Sequence, residues 1–225
     1  MIYRTNMEDF FMEKMSDFFT ERVDGYENHM LSNTMGNKEG YIAMSNLIPP
    51  SCKSLLDLGC GTGLELDEIL KVMPDLEITG IDLTQAMLDK LKLKYPTKSI
   101  QLICGSYFDV PFGIEKYECT VSFQTMHHFS HELKIGLYKK IYQALSPAGV
   151  YIEGDYMVEN QEDEDFYFSE NTRIRKKLNI IETEFYHYDT PCTVENQIEM
   201  LYSAGFRNVE KVFHLENTTI LVAHK

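Results

Sequence analysis

Apolar positions follow two regimes along this chain. Before residue 50, Phe10, Phe11, Met15, Phe18 and Phe19 fall near one helical face, which predicts a helix over 7–21. A polar, glycine-containing stretch runs from 24 to 36. A second helix is expected over 41–47, stopped by Pro49 and Pro50. From residue 54 onward, short apolar runs alternate with amphipathic segments. The runs predict strands at 54–58, 77–82, 100–105, 119–123 and 150–153; the intervening segments predict helices at 64–72, 85–94 and 130–145. Thr84 is placed to cap the second of these helices, and Ser146-Pro-Ala-Gly149 to close the third. Acidic residues then crowd 159–165, and helices are expected over 164–177 and 194–204. Two closing strands, 208–214 and 218–223, are joined by Leu215-Glu-Asn-Thr218, a connection short enough to force them antiparallel.

This alternation predicts an α/β fold: a doubly wound, seven-stranded, mostly parallel sheet with a terminal antiparallel hairpin and helices on both faces. Ligands are expected at the carboxyl ends of the strands. The 225 residues suit a single domain, 1–225. Residues 1–48 read as a helical lid or substrate region, and 156–192 as an inserted segment on the substrate side.

Composition narrows the partners. With 35 acidic residues against 21 Lys and Arg, the net charge of −14 offers no cationic footprint for nucleic acid and disfavours docking on anionic membrane. No apolar stretch approaches the roughly 20 residues of a membrane span, and the first residues lack a secretory pattern. Five cysteines show no CxxC pair, so a reducing cytoplasm is expected, with neither a disulfide framework nor a zinc site. Cys104 and Cys119 lie in apolar runs, as small hydrophobes do.

The candidate chemistry begins at Ser54-Leu-Leu-Asp-Leu-Gly-Cys-Gly-Thr-Gly63, where an apolar run breaks into three alternating glycines. Glycines permit tight turns and close approach of a ligand. The next strand ends on Asp82, placed to accept both hydroxyls of a ribose. The pattern describes a nucleoside pocket. A dinucleotide loop wants G-x-G-x-x-G, but the third-glycine position here is Leu64, and Asp57 would repel a pyrophosphate while suiting an ammonium group. No Lys follows the glycines, which removes the P-loop reading.

Leu56-Asp-Leu-Gly-Cys-Gly-Thr-Gly63, Gly80-Ile-Asp-Leu83 and the terminal hairpin resemble the class I S-adenosylmethionine-dependent methyltransferase family. Gly105-Ser-Tyr-Phe-Asp-Val-Pro-Phe112, the passage 117–129 and Leu145-Ser-Pro-Ala-Gly-Val-Tyr-Ile-Glu153 are similar to its later motifs, as is Ala204-Gly-Phe-Arg-Asn-Val209. The resemblance spans about 52–155 and 194–225. It implies S-adenosyl-L-methionine as cofactor. The backbone of Gly59, Gly61 and Gly63 would pass the methionine portion, Asp57 would support its amino group, and Asp82 would hold the ribose. Leu83 would lie against the adenine, with Ser106 and Tyr107 at its edge. Ser106 stands where the family often has Asp. Gln124 stands where an apolar residue is usual, as a polar finger near the methyl group or as partner of a buried backbone group.

Methyl transfer from a sulfonium is an in-line displacement, so the protein mainly aligns two reactants and supplies a base when the acceptor arrives protonated. His128, then His127, leave the fourth strand at the right edge to be that base. Tyr26, His29, Asp155 and His187 are candidates to face the substrate, with Tyr3 and Met30 as further lid residues. The phenylalanines of the first helix read as core. Glu153 and Asp155 are expected to point in offset directions. His127, His128 and Asp155 lack a diagnostic ligand spacing, so no metal is expected. Arg173, Arg175, Lys176 and Lys177 read as a solvated helix face. The site after strand four reads Ser122-Phe-Gln-Thr125, not the Asn-Pro-Pro-Tyr type of amino-modifying nucleic-acid enzymes. A small-molecule N, O or S nucleophile is therefore the expected acceptor. The alternatives are a cofactor-binding protein without methyl transfer or with other sulfonium chemistry, and a nicotinamide-dependent oxidoreductase.

Overall fold

A computed structural model describes residues 12–181 and 183–225. Tyr3, Phe10 and Phe11 lie outside the described residues. Seven strands form one sheet in the order β3-β2-β1-β4-β5-β8-β7: β1 (Ser54–Leu58), β2 (Glu77–Asp82), β3 (Ile100–Cys104), β4 (Tyr117–Phe123), β5 (Leu145–Val158), β7 (Arg207–Leu215) and β8 (Thr218–His224). The first five are parallel; β8 runs antiparallel between β5 and β7. A two-residue strand, β6 (Cys192–Thr193), pairs parallel with the far end of β5. The expected fold stands.

Both faces are covered because the central strands are apolar on both sides, as parallel strands require. On one face α3 (Asn37–Leu47), α4 (Leu64–Val72) and α5 (Gln85–Lys94) pack Met44, Ile69 and Leu91 against Leu55 and Val121. On the other, α6 (His131–Ala144) and α8 (Val194–Ser203) set Leu137, Ile141 and Leu201 against Leu56 and Tyr151. Ser130 and Thr193 cap these two helices, each side chain accepting from the third residue onward. Thr84 holds the N-cap position of α5, but its side chain does not cap; Asp82 Oδ1 accepts the Thr84 N–H instead.

Other departures arise where polar residues, solvated or buried, belong to regular elements. The stretch from 24 to 36 contains α2 (Tyr26–Ser32), after α1 (Met15–Arg22), and its inward residue is Met30. β5 is far longer than 150–153, because Glu153 and Asp155 are fully buried within it. Two positions apart, they share a face of the strand rather than diverging. The acidic crowd is the start of α7 (Gln161–Leu178), where Glu162, Asp163 and Glu164 meet the positive end of the helix and Asn160 caps it. Along α7, Arg173 pairs with Glu170, and Arg175 donates to the Ile181 and Glu184 carbonyls. Cys119 is buried as expected, whereas Cys104 is exposed on β3.

The chain's beginning is fastened to the sheet by a polar node. Asn37 Oδ1 accepts from Gln124 Nε2 at 2.8 Å and from Thr218 Oγ1 at 2.9 Å. Beside it Phe123 packs on Tyr41, ring centroids 4.2 Å apart, and fills the space over Gly154. A Cβ on Gly154 would sit 2.5 Å from Phe123 Cδ2. Gly154→Ala is therefore expected to cost about 1–3 kcal/mol in urea unfolding. Gly136→Ala, within α6 and open to 4 Å, is expected to raise stability by about 0.5–1 kcal/mol.

Candidate active site

The glycine loop leaves β1 with φ of 75° at Gly59, 47° at Gly61 and 77° at Gly63, a conformation other residues adopt only under strain. Asp82, at the tip of β2, locks it: Oδ2 accepts the Gly61 N–H at 2.9 Å while Oδ1 takes Thr84 N–H at 2.8 Å. Burial lifts the Asp82 carboxyl to about 6 despite those two bonds, which favour the ion. Beneath the loop lies Asp57, fully buried; apart from the facing Glu65, neither of its oxygens has a hydrogen-bond partner. Desolvation lifts Asp57 to about 7 and Glu65 well above the carboxylate range, the two raising or sharing protons as a pair. A buried carboxyl pair short of a cation fits an ammonium group. A Cβ built on Gly61 would meet the Tyr26 ring at 3.8 Å, an ordinary contact, so Tyr26 lies over this part of the loop.

Above the loop is a cavity of about 630 Å³. Gly59, Gly61, Asp82, Leu83, Ser106, Tyr107 and Gln124 all line it, as do Tyr26 and His128. Gly63 instead begins α4, its Cα facing Leu91. Tyr107 donates or accepts at Thr125 Oγ1, 2.9 Å away, and Ser106 Oγ takes the Phe108 N–H at 3.2 Å. Gln124, at φ 52°, spends its amide on Asn37, so it braces the polar node while edging the cavity. Much of the remaining wall is aromatic, from Phe19, Phe108, Phe129 and Phe185, beside Met15 and Met87, with Thr84 and Thr125 adding hydroxyls. Phe19 and Met15 thus face the cavity rather than only the core. Phe185 was invisible in the sequence pattern, lying in an irregular stretch. It arrives because Met15 N–H donates to its carbonyl at 3.0 Å and His187 N–H to Glu13 at 2.9 Å, which joins the two segments as an antiparallel bridge. His29 is exposed on α2 and does not reach the cavity.

The histidines gather behind one wall. His127 Nδ1 meets Asp155 Oδ1 at 2.6 Å, both buried, so Asp155 orients His127 and does not line the cavity. Burial pulls the His127 imidazolium down, but Asp155 and Asp189 outweigh it and leave its pKa raised. His128 is held well below the ordinary range by burial, then by His127 and His187. Its Nδ1 lies 3.5 Å from the Tyr188 carbonyl. His187 stacks on Phe18, centroids 3.5 Å apart, and burial lowers it to about 4. It stands outside the cavity, 5.0 Å from the His128 ring. Asp189, which no sequence motif marks, sits among all three rings.

Residues 55–149 match the family model described as "Methyltransferase domain". That segment is similar to methyltransferase domains, and the chain shares its fold with solved methyltransferases. It is 29% identical over 231 residues to the carboxy-S-adenosyl-L-methionine synthase of Wolinella succinogenes, covering 92% of each. A protein of Nostoc punctiforme assigned as an O-methyltransferase superposes with a TM-score of 0.70 at 21% identity, covering 94% of this chain and 62% of that one. Human N-acetylserotonin methyltransferase, solved with S-adenosylmethionine, superposes at 0.66 and 15% identity, covering 93% and 56%. Among the described residues no helix is long and apolar enough to cross a membrane.

The two raised carboxyls set a pH dependence. An ammonium held at Asp57 would need that carboxyl ionised, as would two hydroxyls held at Asp82. Each loses its charge as pH falls through about 7 and about 6 respectively. Calorimetric titration with S-adenosylhomocysteine is expected to show affinity that is greatest above pH 7.5 and falls steadily toward pH 5.5. Asp82→Asn is expected to lose about 10- to 100-fold in affinity at pH 8, corresponding to a charged hydrogen bond of about 1.5–3 kcal/mol.

Proposed function

We propose that this protein transfers a methyl group to an N, O or S nucleophile of a small, largely apolar molecule in a reducing cytoplasm. S-adenosylmethionine, when bound, supplies an activated methyl on a sulfonium. The observation that carries the reading is the composition of one cavity: nucleoside-binding glycines and Asp82 at one end, aromatic rings and a single histidine at the other. Asp57 and Glu65 would hold the amino group, Asp82 the ribose, and Leu83, Ser106 and Tyr107 the adenine. Residues 1–48 and 156–192 supply the acceptor side through Met15, Phe19, Tyr26 and Phe185, which exclude water and hold the acceptor near the methyl. His128 takes the acceptor's proton. Its Nδ1 is turned toward the Tyr188 carbonyl, 3.5 Å away, with Nε2 as the basic nitrogen in this reading. His127 and Asp155 position it from behind. The −14 charge and the lack of Lys or Arg among the described cavity residues support an acceptor that is neither nucleic acid nor a strong anion.

A second reading draws on the bacterial relatives aligned nearly end to end. They are named for making carboxy-S-adenosyl-L-methionine, a different use of the sulfonium. A carboxylated cofactor calls for a cation near the sulfur, and the described wall offers none. Mass spectrometry of the cofactor pool separates the two. Methyl transfer to a metabolite extract yields S-adenosylhomocysteine and a product heavier by one methyl; the second chemistry yields a cofactor heavier by a carboxylate. With an acceptor in hand, His128→Ala is expected to lower kcat by about 10²- to 10⁴-fold while leaving cofactor affinity within about twofold. An unchanged kcat would remove His128 as base.

A further inference from the structure

Asp189 Oδ1 is sealed from solvent and has no hydrogen-bond partner, although the rest of its side chain is 42% exposed. Three imidazole nitrogens surround it: His127 Nε2 at 3.5 Å, His128 Nδ1 at 3.5 Å and His187 Nε2 at 3.9 Å. These separations are too long for good hydrogen bonds. They match the spacing of donors that share one ion, because bonds of about 2.0–2.1 Å at tetrahedral angles leave ligand atoms about 3.3–3.4 Å apart. The donor atoms of His127, His128 and Asp189 all lie within 4.8 Å of one another.

We propose that His127 Nε2, His128 Nδ1 and Asp189 Oδ1 bind a divalent transition-metal ion of the zinc type, with water completing its coordination. Several features support this assignment independently. Asp155 Oδ1 lies 2.6 Å from His127 Nδ1 and orients the ring, so that Nε2 is the nitrogen presented near Asp189, 3.5 Å away. Metal-bound histidines are held by a carboxylate in this way. Thr190 donates to the His127 carbonyl from both its N–H, at 2.6 Å, and its hydroxyl, at 2.9 Å, fixing the 187–190 segment beside the turn at 126–128. His187 is oriented by its stack on Phe18. Asp155, Asp189 and a divalent ion sum to zero charge, and the exposed side of Asp189 gives the ion an entry path. The other histidine–acid cluster, His131 with Glu164 and Cys192, differs because both Glu164 oxygens already accept hydrogen bonds, from Thr193 N–H and from Asn196.

The ion and proton transfer compete for one ring. With metal on Nδ1, His128 keeps its proton at Nε2 and donates to the acceptor instead of receiving from it. The loaded protein is then the resting form; this consequence rests on the methyl-transfer reading, whereas binding does not.

Cobalt(II) is the probe, added to chelator-stripped full-length protein without cofactor or acceptor. One equivalent is expected to give the intense visible bands of tetrahedral nitrogen–oxygen ligation, and zinc to abolish them. Asp189→Asn, at a half-exposed position that leaves the fold intact, is expected to weaken binding at least 10-fold, and Asp155→Asn about 10- to 100-fold. His131→Ala is expected to change neither stoichiometry nor spectrum. Zinc is expected to raise the Tm of the native protein and not of Asp189→Asn. Octahedral-type weak absorption, or binding that Asp189→Asn and Asp155→Asn leave unchanged, overturns the site.

Discussion

The carboxylate of Asp82 is the fastening on which the site depends. One oxygen holds the Gly61 N–H and the other the Thr84 N–H, so a single side chain sets the shape of the first loop and the start of the helix after β2. Two backbone bonds and the Thr84 side chain compensate its burial only in part, which is why its pKa remains raised. The arrangement stores an imbalance that a pair of ribose hydroxyls would relieve. Asp57 and Glu65 repeat the principle a layer below, with a cation as the missing partner.

A second constraint couples this edge of the sheet to the first fifty residues. Asn37 is fully buried, and its amide oxygen is shared by Gln124 from the end of β4 and Thr218 from β8. Gln124 therefore does structural and cavity-lining work at once. Loss of both donors would strand a buried polar atom, a penalty of about 1–3 kcal/mol. Close packing of Phe123 over Gly154 and Gly40 fixes the same corner sterically.

Much of this was legible in the sequence where local rules dominate. The glycine spacing, Asp57 and Asp82 announced the nucleoside end, because tight turns and strand tips need particular residues at particular positions. α4 and α5 came out at their observed bounds for the same reason. Legibility failed where burial is tertiary. Glu153 and Asp155 look like a strand's end, yet lie in the middle of β5 with partners on other elements. Tyr26 to Ser32 looks like loop, since only Met30 signals its inner face. Phe185 and Asp189 carry no periodic signal at all. They matter because a backbone bridge and Thr190 bring an irregular segment to the histidines, and no spacing rule encodes such a meeting.

That backbone bridge has a kinetic corollary. Lys14 and Tyr186 pair as a two-rung antiparallel ribbon, with Met15 and Phe185 on the cavity side. Segments far apart in the chain are thereby one mechanical body above the acceptor end. Ligand exchange there would be gated by a single collective event rather than by two independent flickers. Occupancy of the cavity would then be sensed equally by both segments, and entry and exit would share one barrier.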